Sequence, residues 1–371
     1  MADYERPAWA GRLDQLRRSI TDDGLDALVI STPVNLTYLT GFVGSAGLLV
    51  VTPTSTWLIA DGRYAGAIRD GVEQGTITPV QLETVPDRYD LTLTRLVARE
   101  GLRRIGFEAG NITVATLGAW QRAAEAIEWV PTELVVEKLR LVKDDREIAI
   151  LRQGGRMIAG VAERLRECVV RGRTEREVAD AIEALLFGAG FERLAFPTIV
   201  ASGPNSAHPH ARPTQRRLVE GDLVVLDFGG VIDGYCVDLT RMAAVGHLAP
   251  AAHALFTGVL AANAAAIAIV RPGISTAEVD RAARAVLEDR GLGEAFVHST
   301  GHGLGLEVHE APRLARATPG TSEEVVAGMV FTIEPGAYVD GTGGVRVEDD
   351  VLVTAQGYEV LTDVSRELLV V

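Results

Sequence analysis

Up to about residue 135 the sequence alternates amphipathic helical stretches with short apolar, β-rich runs, among them Asp26 to Ile30, Gly47 to Val51 and Thr56 to Ile59. This alternation predicts a small α/β domain. Pro131 precedes Thr132 to Val136, and a helical pattern follows from about Asp144 to Val170. The expected division is therefore residues 1–135 and 136–371.

Beyond that point the pattern repeats weakly. Gly172-Arg173-Thr174-Glu175-Arg176-Glu177-Val178 lies over Gly273-Ile274-Ser275-Thr276-Ala277-Glu278-Val279 at an offset of 273 − 172 = 101 residues. In each copy a hydroxyl residue, Thr174 or Ser275, stands three places before a glutamate, which is a capping-box signature, and each helix is expected to end near Gly190 or Gly291. Strand patterns follow at 195–202, 222–229 and 234–245, then at 328–334, 344–354 and 358–362. Two helix-then-sheet halves related by a pseudo-twofold are expected to join their strands into one curved antiparallel sheet. Helices would cover its outer face and leave a concave inner surface. The Ala-rich stretch from Ala251 to Val270 has near-membrane length, but His253, Thr257, Gly258 and Asn263 interrupt it, so a buried helix is expected.

Composition narrows the functional classes. The chain has 371 residues, 47% of them apolar and 23% charged, the balance of a folded protein with room for two cores. Its 36 basic and 50 acidic residues give a formal charge of −14, which disfavours nucleic acid and anionic membranes as partners. Cys168 and Cys236 stand far apart and outside any CxxC pattern, and the acidic N-terminus lacks an apolar core of signal-peptide type. A reducing, cytoplasmic location is the expectation.

The chemistry is concentrated in acids placed on apolar strands. Asp227 sits in Val224-Val225-Leu226-Asp227-Phe228, Asp238 in Tyr235-Cys236-Val237-Asp238-Leu239, Glu334 at the end of Val330-Phe331-Thr332-Ile333, and Glu348 after Val345-Arg346-Val347. An unpaired carboxylate on a buried strand is costly or must take up a proton, so something should neutralise these four. The Gly-rich run from His298 to Glu310 adds an imidazole ligand. Four carboxylates and one histidine suit a pair of divalent ions about 3.5–4 Å apart. Oxygen-rich ligation favours manganese, with cobalt, zinc or iron as alternatives. Taken singly, each acid could equally be an edge or turn residue paired with an arginine.

At these residues the sequence resembles the pita-bread metallopeptidases, in the branch of Xaa-Pro aminopeptidases and prolidases. LDFGG at 226–230, GYCVDLTR at 234–241, GHGLGLEVHE at 301–310, TIEPG at 332–336 and VRVEDD at 345–350 stand in that family's order and spacing. The first domain resembles its family counterpart through NLTYLTGF at 35–42 and DGRY at 61–64. The resemblance implies that Asp227 ligates one metal, that His302 and Glu334 ligate the other, and that Asp238 and Glu348 bridge them. It implies a metal-bridging water as nucleophile with Glu334 as proton acceptor. His210, His298 and His309 would face the substrate, and Arg346 would orient Asp238 or a substrate group. His208 departs from the family pattern and is expected to be a surface histidine. The implied activity is hydrolysis of the bond between an N-terminal residue and a following proline in proline-containing peptides, by a homodimer. The alternatives are a prolidase restricted to dipeptides and a catalytically inactive scaffold of the same fold.

Overall fold

The computed structural model describes residues 9–317 and 323–371. The chain divides into two compact units after Arg140, five residues beyond the boundary expected from the pattern. The reason is a buried polar knot. Glu108 accepts hydrogen bonds from the N–H and hydroxyl groups of Ser31 and Thr32 and from the Asn35 amide, which also reaches Glu137, while Arg140 donates to the Asn35 carbonyl oxygen at 2.9 Å. The short helix Val135–Arg140 is thereby fastened to the first domain. That domain is a six-stranded mixed sheet in which Ala27–Ile30 pairs antiparallel with Leu48–Val51 and parallel with Arg104–Glu108. Val29, Val50, Ile59, Phe107 and Trp120 lie in its core.

The second domain carries both halves of the repeat. Thr174 and Ser275 each close a complete capping box, on the helices Glu175–Ala189 and Thr276–Glu288. Both capping residues also form isolated antiparallel bridges with a distant stretch of chain, Thr174 with Arg217 and Ser275 with Glu324. In the first half Leu223–Ile232 and Tyr235–Ala244, ten residues each, form a hairpin inside a five-stranded sheet. In the second half Val330–Ile333 and Asp349–Thr354 occupy the middle of another five-stranded sheet. The two sheets stay separate ladders, joined where the Glu348 N–H donates to the Thr240 carbonyl at 3.3 Å. Pairing is antiparallel except at the terminal strand Leu369–Val370, which runs parallel to the hairpin.

The run expected as one strand over 344–354 is two, Gly343–Arg346 and Asp349–Thr354, because it leaves Gly336–Val339 and joins Val330–Ile333. Glu348 falls at this change of partner. Helix Pro250–Ala268 is long and apolar enough to cross a membrane, but Leu255, Val259, Ala262 and Ala266 are buried in the core of the second half. Asn263 in the same helix is fully buried and donates to the carbonyls of Ile333 and Val347, at 2.9 and 3.1 Å. One helix side chain thus ties together the strand ends that carry Glu334 and Glu348.

Candidate active site

In the hairpin, Asp227 lies opposite Thr240 and Asp238 lies opposite Gly229. The two aspartates are diagonal neighbours on one face of the ladder. Strand alternation sends Leu226, Phe228, Val237 and Leu239 into the core on the other face. Cys236, two places before Asp238, shares the aspartate face. Its buried sulfur lies 3.9 Å from the Leu306 carbonyl, and burial pushes its thiol up to about 12.

The second half brings its ligands to the same place. His302 stands in Gly301–Gly303, flanked by glycines that let the strand run close to its neighbours: a Cβ at Gly301 would collide with the Thr332 carbonyl, and one at Gly303 with the Ala311 carbonyl. His302 Nδ1 lies 3.1 Å from the Gly303 carbonyl, which leaves Nε2 directed at Glu334, 3.3 Å from its Oε1. Glu334 is fixed through its own N–H, which donates to the Thr300 carbonyl at 2.7 Å. Glu348 accepts a hydrogen bond from the Thr240 hydroxyl at 2.6 Å. Ligating atoms of Asp238, His302 and Glu348 all lie within 4.8 Å of one another.

Electrostatically the buried acids crowd around a single arginine, Arg346, which pairs with Asp227. Burial, reinforced by Glu348, Asp227, Asp350 and Glu334, holds the Asp238 carboxyl well above the usual carboxylate range. Burial does the same to Glu348, with Glu334 and Asp227 adding to it, and lifts Glu334 to about 8 against the opposing pull of Arg346. Burial also raises Asp227 despite Arg346. Conversely, burial lowers His302 to about 4, so its imidazole is neutral at physiological pH and can offer a lone pair. Asp227 Oδ1 and Asp238 Oδ1 are buried with no hydrogen-bond partner. Orphaned carboxylate oxygens converging on a neutral imidazole fit a bound divalent cation, and the oxygen-rich donor set suits a hard or borderline one.

Around this cluster lies a cleft of about 980 Å³, lined among others by His210, His298, His309, Arg346, Phe196 and Arg313. The cleft wall contains Asp227, Asp238, His302, Glu334, Glu348, His210, His298, His309 and Arg346, whereas His208 is exposed and outside it. The His309 ring packs against His302 at 4.2 Å between centroids. His298 is lowered to about 4 by burial, and its Nε2 lies 3.0 Å from the Tyr338 hydroxyl.

Arg346 lines the cleft, where a substrate group was one of its two expected targets. It pairs with Asp227, not Asp238, and extends to the Tyr338 hydroxyl at 2.7 Å, the Thr240 hydroxyl at 3.2 Å and the Pro209 carbonyl at 3.2 Å. Asp238 is steadied from elsewhere, its N–H donating to Asp350 at 3.0 Å. Tyr338, Thr240 and Asp350 are the supporting residues that sequence reasoning missed. Thr240 and Asp350 lie inside quoted motifs, so a signal existed. Tyr338 is a single aromatic on a short strand and gave none.

A ring of buried acids with one neutral imidazole in an open cleft defines a metal-dependent hydrolase site. The chain belongs to metallopeptidase family M24, whose model matches residues 149–355, and the Creatinase/Prolidase N-terminal domain matches residues 12–142. It is 36% identical over 361 residues to the peptidase YqhT of Bacillus subtilis, covering 97% of this chain and 99% of that one. Among solved structures it is similar to the Xaa-Pro dipeptidase from Bacillus anthracis, with a TM-score of 0.92 and 33% identity over 98% of this chain and 100% of that one. It is also similar to the X-Pro aminopeptidase from Thermotoga maritima, with a TM-score of 0.85 and 30% identity over 95% and 100% of the two chains. The protein is a metallopeptidase of this fold, with an N-terminal α/β domain and a C-terminal pita-bread domain.

Proposed function

We propose that the enzyme hydrolyses the bond between an N-terminal residue and a following proline, and that it holds two divalent ions, most readily manganese. Asp238, His302 and Glu348 would form the centre of the ligand set, completed by Asp227 and Glu334. Ions held there supply Lewis acidity and a lowered pKa for water. The observation that carries the reading is the placement of His210, His298 and His309 around that acid cluster in one cleft. The rings of His210 and His309 can donate to the oxyanion that develops on the scissile carbonyl. A proline nitrogen has no N–H and must gain a proton as it leaves. Glu334 would take a proton from the attacking water and return it to that nitrogen. Phe196, Pro197, Ile199 and Pro213 give the same cleft an apolar wall for a pyrrolidine ring.

The cleft is at the upper end of the roughly 300–1,000 Å³ range of small-molecule sites, which favours peptides longer than two residues and hence an Xaa-Pro aminopeptidase. A second reading, a dipeptidase, is favoured by the exposed Arg313 at the cleft wall, which could take a free carboxylate, and by the similarity to the Bacillus anthracis dipeptidase. We place the enzyme in the cytoplasm as a homodimer. Ala-Pro, Ala-Pro-Ala and Ala-Ala assayed side by side decide among the substrates. Cleavage of both proline peptides supports the aminopeptidase, cleavage of Ala-Pro alone the dipeptidase, and cleavage of Ala-Ala alone would sink the proline reading.

A further inference from the structure

Glu175 is a fully buried carboxylate outside the cleft, and no cation is bonded to it among the described residues. It occupies the first position of helix Glu175–Ala189, directly after the capping Thr174. All of the bonds to its carboxylate come from one loop. Oε1 accepts from the N–H and hydroxyl of Ser202, both at 2.7 Å, and from the Asn205 amide at 3.1 Å. Oε2 accepts from the Asn205 amide at 3.1 Å and from the N–H and hydroxyl of Thr214, at 3.0 and 2.6 Å. Ser202 and Thr214 are the two ends of the segment that carries His210.

The segment is also held at its ends by Arg176, which donates to the Pro213 carbonyl at 3.1 Å, and by Arg216, which donates to the Ser202 hydroxyl at 2.7 Å. It consists of a short 3-10 turn, Gly203–Ala207, followed by irregular chain, and its attachments to the site are Gly344 N–H on the Ser206 hydroxyl at 2.8 Å and Arg346 on the Pro209 carbonyl. The His210 ring is exposed and has no hydrogen-bond partner among the described residues, so its position depends on its backbone. The second half meets the same need differently. Its residue equivalent to Glu175 is Thr276, and the segment bearing His298 is held instead by Asp280, which accepts from Thr300, and by Arg284, which donates to the His298 carbonyl at 2.6 Å. Both halves therefore use a buried acid on the covering helix to hold a histidine segment at the cleft.

We propose that Glu175 is a positioning residue that clamps both ends of the loop 203–213 and so sets His210 against the acid cluster. Its effect on turnover rests on the proposed peptidase reading, but the clamp itself does not. The test is Glu175→Gln in wild-type and His210→Ala backgrounds, with kcat, KM and metal content for Ala-Pro and Ala-Pro-Ala, and backbone hydrogen exchange across the chain. The substitution keeps the size of the side chain and turns one acceptor into a donor facing donors. The expected result is a loss of kcat of about 10- to 100-fold with metal content unchanged, and no further loss when His210 is already alanine. Exchange should quicken over 203–213 and stay unchanged over 223–232. Thr214→Val should give a smaller change of the same kind and serves if Glu175→Gln folds poorly. An equal loss in both backgrounds, or exchange that quickens throughout the domain, would overturn the proposal. If the unaltered enzyme cleaves neither proline peptide, the peptidase reading fails while the exchange pattern still decides the clamp.

Discussion

Three adjacent acids, Glu348, Asp349 and Asp350, have three different fates. Glu348 faces the cleft, Asp349 pairs with Arg241 and Arg366 in the buried wall, and Asp350 accepts from the Asp238 N–H. The motif made Glu348 legible, but nothing local separates the other two, because their partners lie between 13 and 112 residues away in sequence or across a sheet junction. Arg346 shows the same limit. Its charge beside the acids was readable, but its pairing with Asp227 depends on how a 119-residue separation closes. Different roles at this scale predict different losses. Asp238→Ala should abolish both metal retention and activity, whereas His309→Ala should lower kcat by about 10²–10⁴-fold and leave metal content nearly intact. Metal analysis alongside steady-state kinetics checks both, and equal metal content in the two variants would contradict the assigned roles.

Among the elements, the capping boxes were the most legible feature, since Thr174 with Glu177 and Ser275 with Glu278 are local and both form. The hairpin strands were also readable, expected at 222–229 and 234–245 and found at Leu223–Ile232 and Tyr235–Ala244, with Asp233 and Gly234 between them at positive φ. The break at Val347 and Glu348 was not readable, because it arises from a change of pairing partner and not from a turn signal. Asn263 reads in the sequence only as a polar interruption of an apolar helix, yet it bonds the two strand ends beneath the site. Asn263→Leu would leave two buried carbonyls without that donor and should destabilise the domain by about 1–3 kcal/mol. Denaturant unfolding measures this, and unchanged stability would show that the strand ends are held by the ladder alone.

At the scale of the whole molecule, the site stores a charge imbalance that makes stability depend on pH and metal together. In the metal-free protein Glu334 is raised to about 8, and Asp238, Glu348 and Asp350 are also raised, mainly by burial. A carboxyl raised on folding contributes stability at low pH that is lost as pH climbs through its folded value. His298 and His302, lowered from 6.5 to about 4, act in the opposite sense, and their contribution is complete above 6.5 and lost toward 4. Between pH 6.5 and 8 only the carboxyl effect remains, so the melting temperature of the metal-free protein should fall across that window. Metal-loaded protein should fall less, widening the gap between the two as pH rises, and a gap that narrows would contradict the origin assigned to these shifts. The most direct test of the metallopeptidase reading is Ala-Pro hydrolysis by metal-stripped enzyme, before and after adding manganese, with the bound ions counted. Inactivity that is reversed as about two ions bind per chain is the expected result; full cleavage by the stripped protein, or none by the reloaded one, would contradict it.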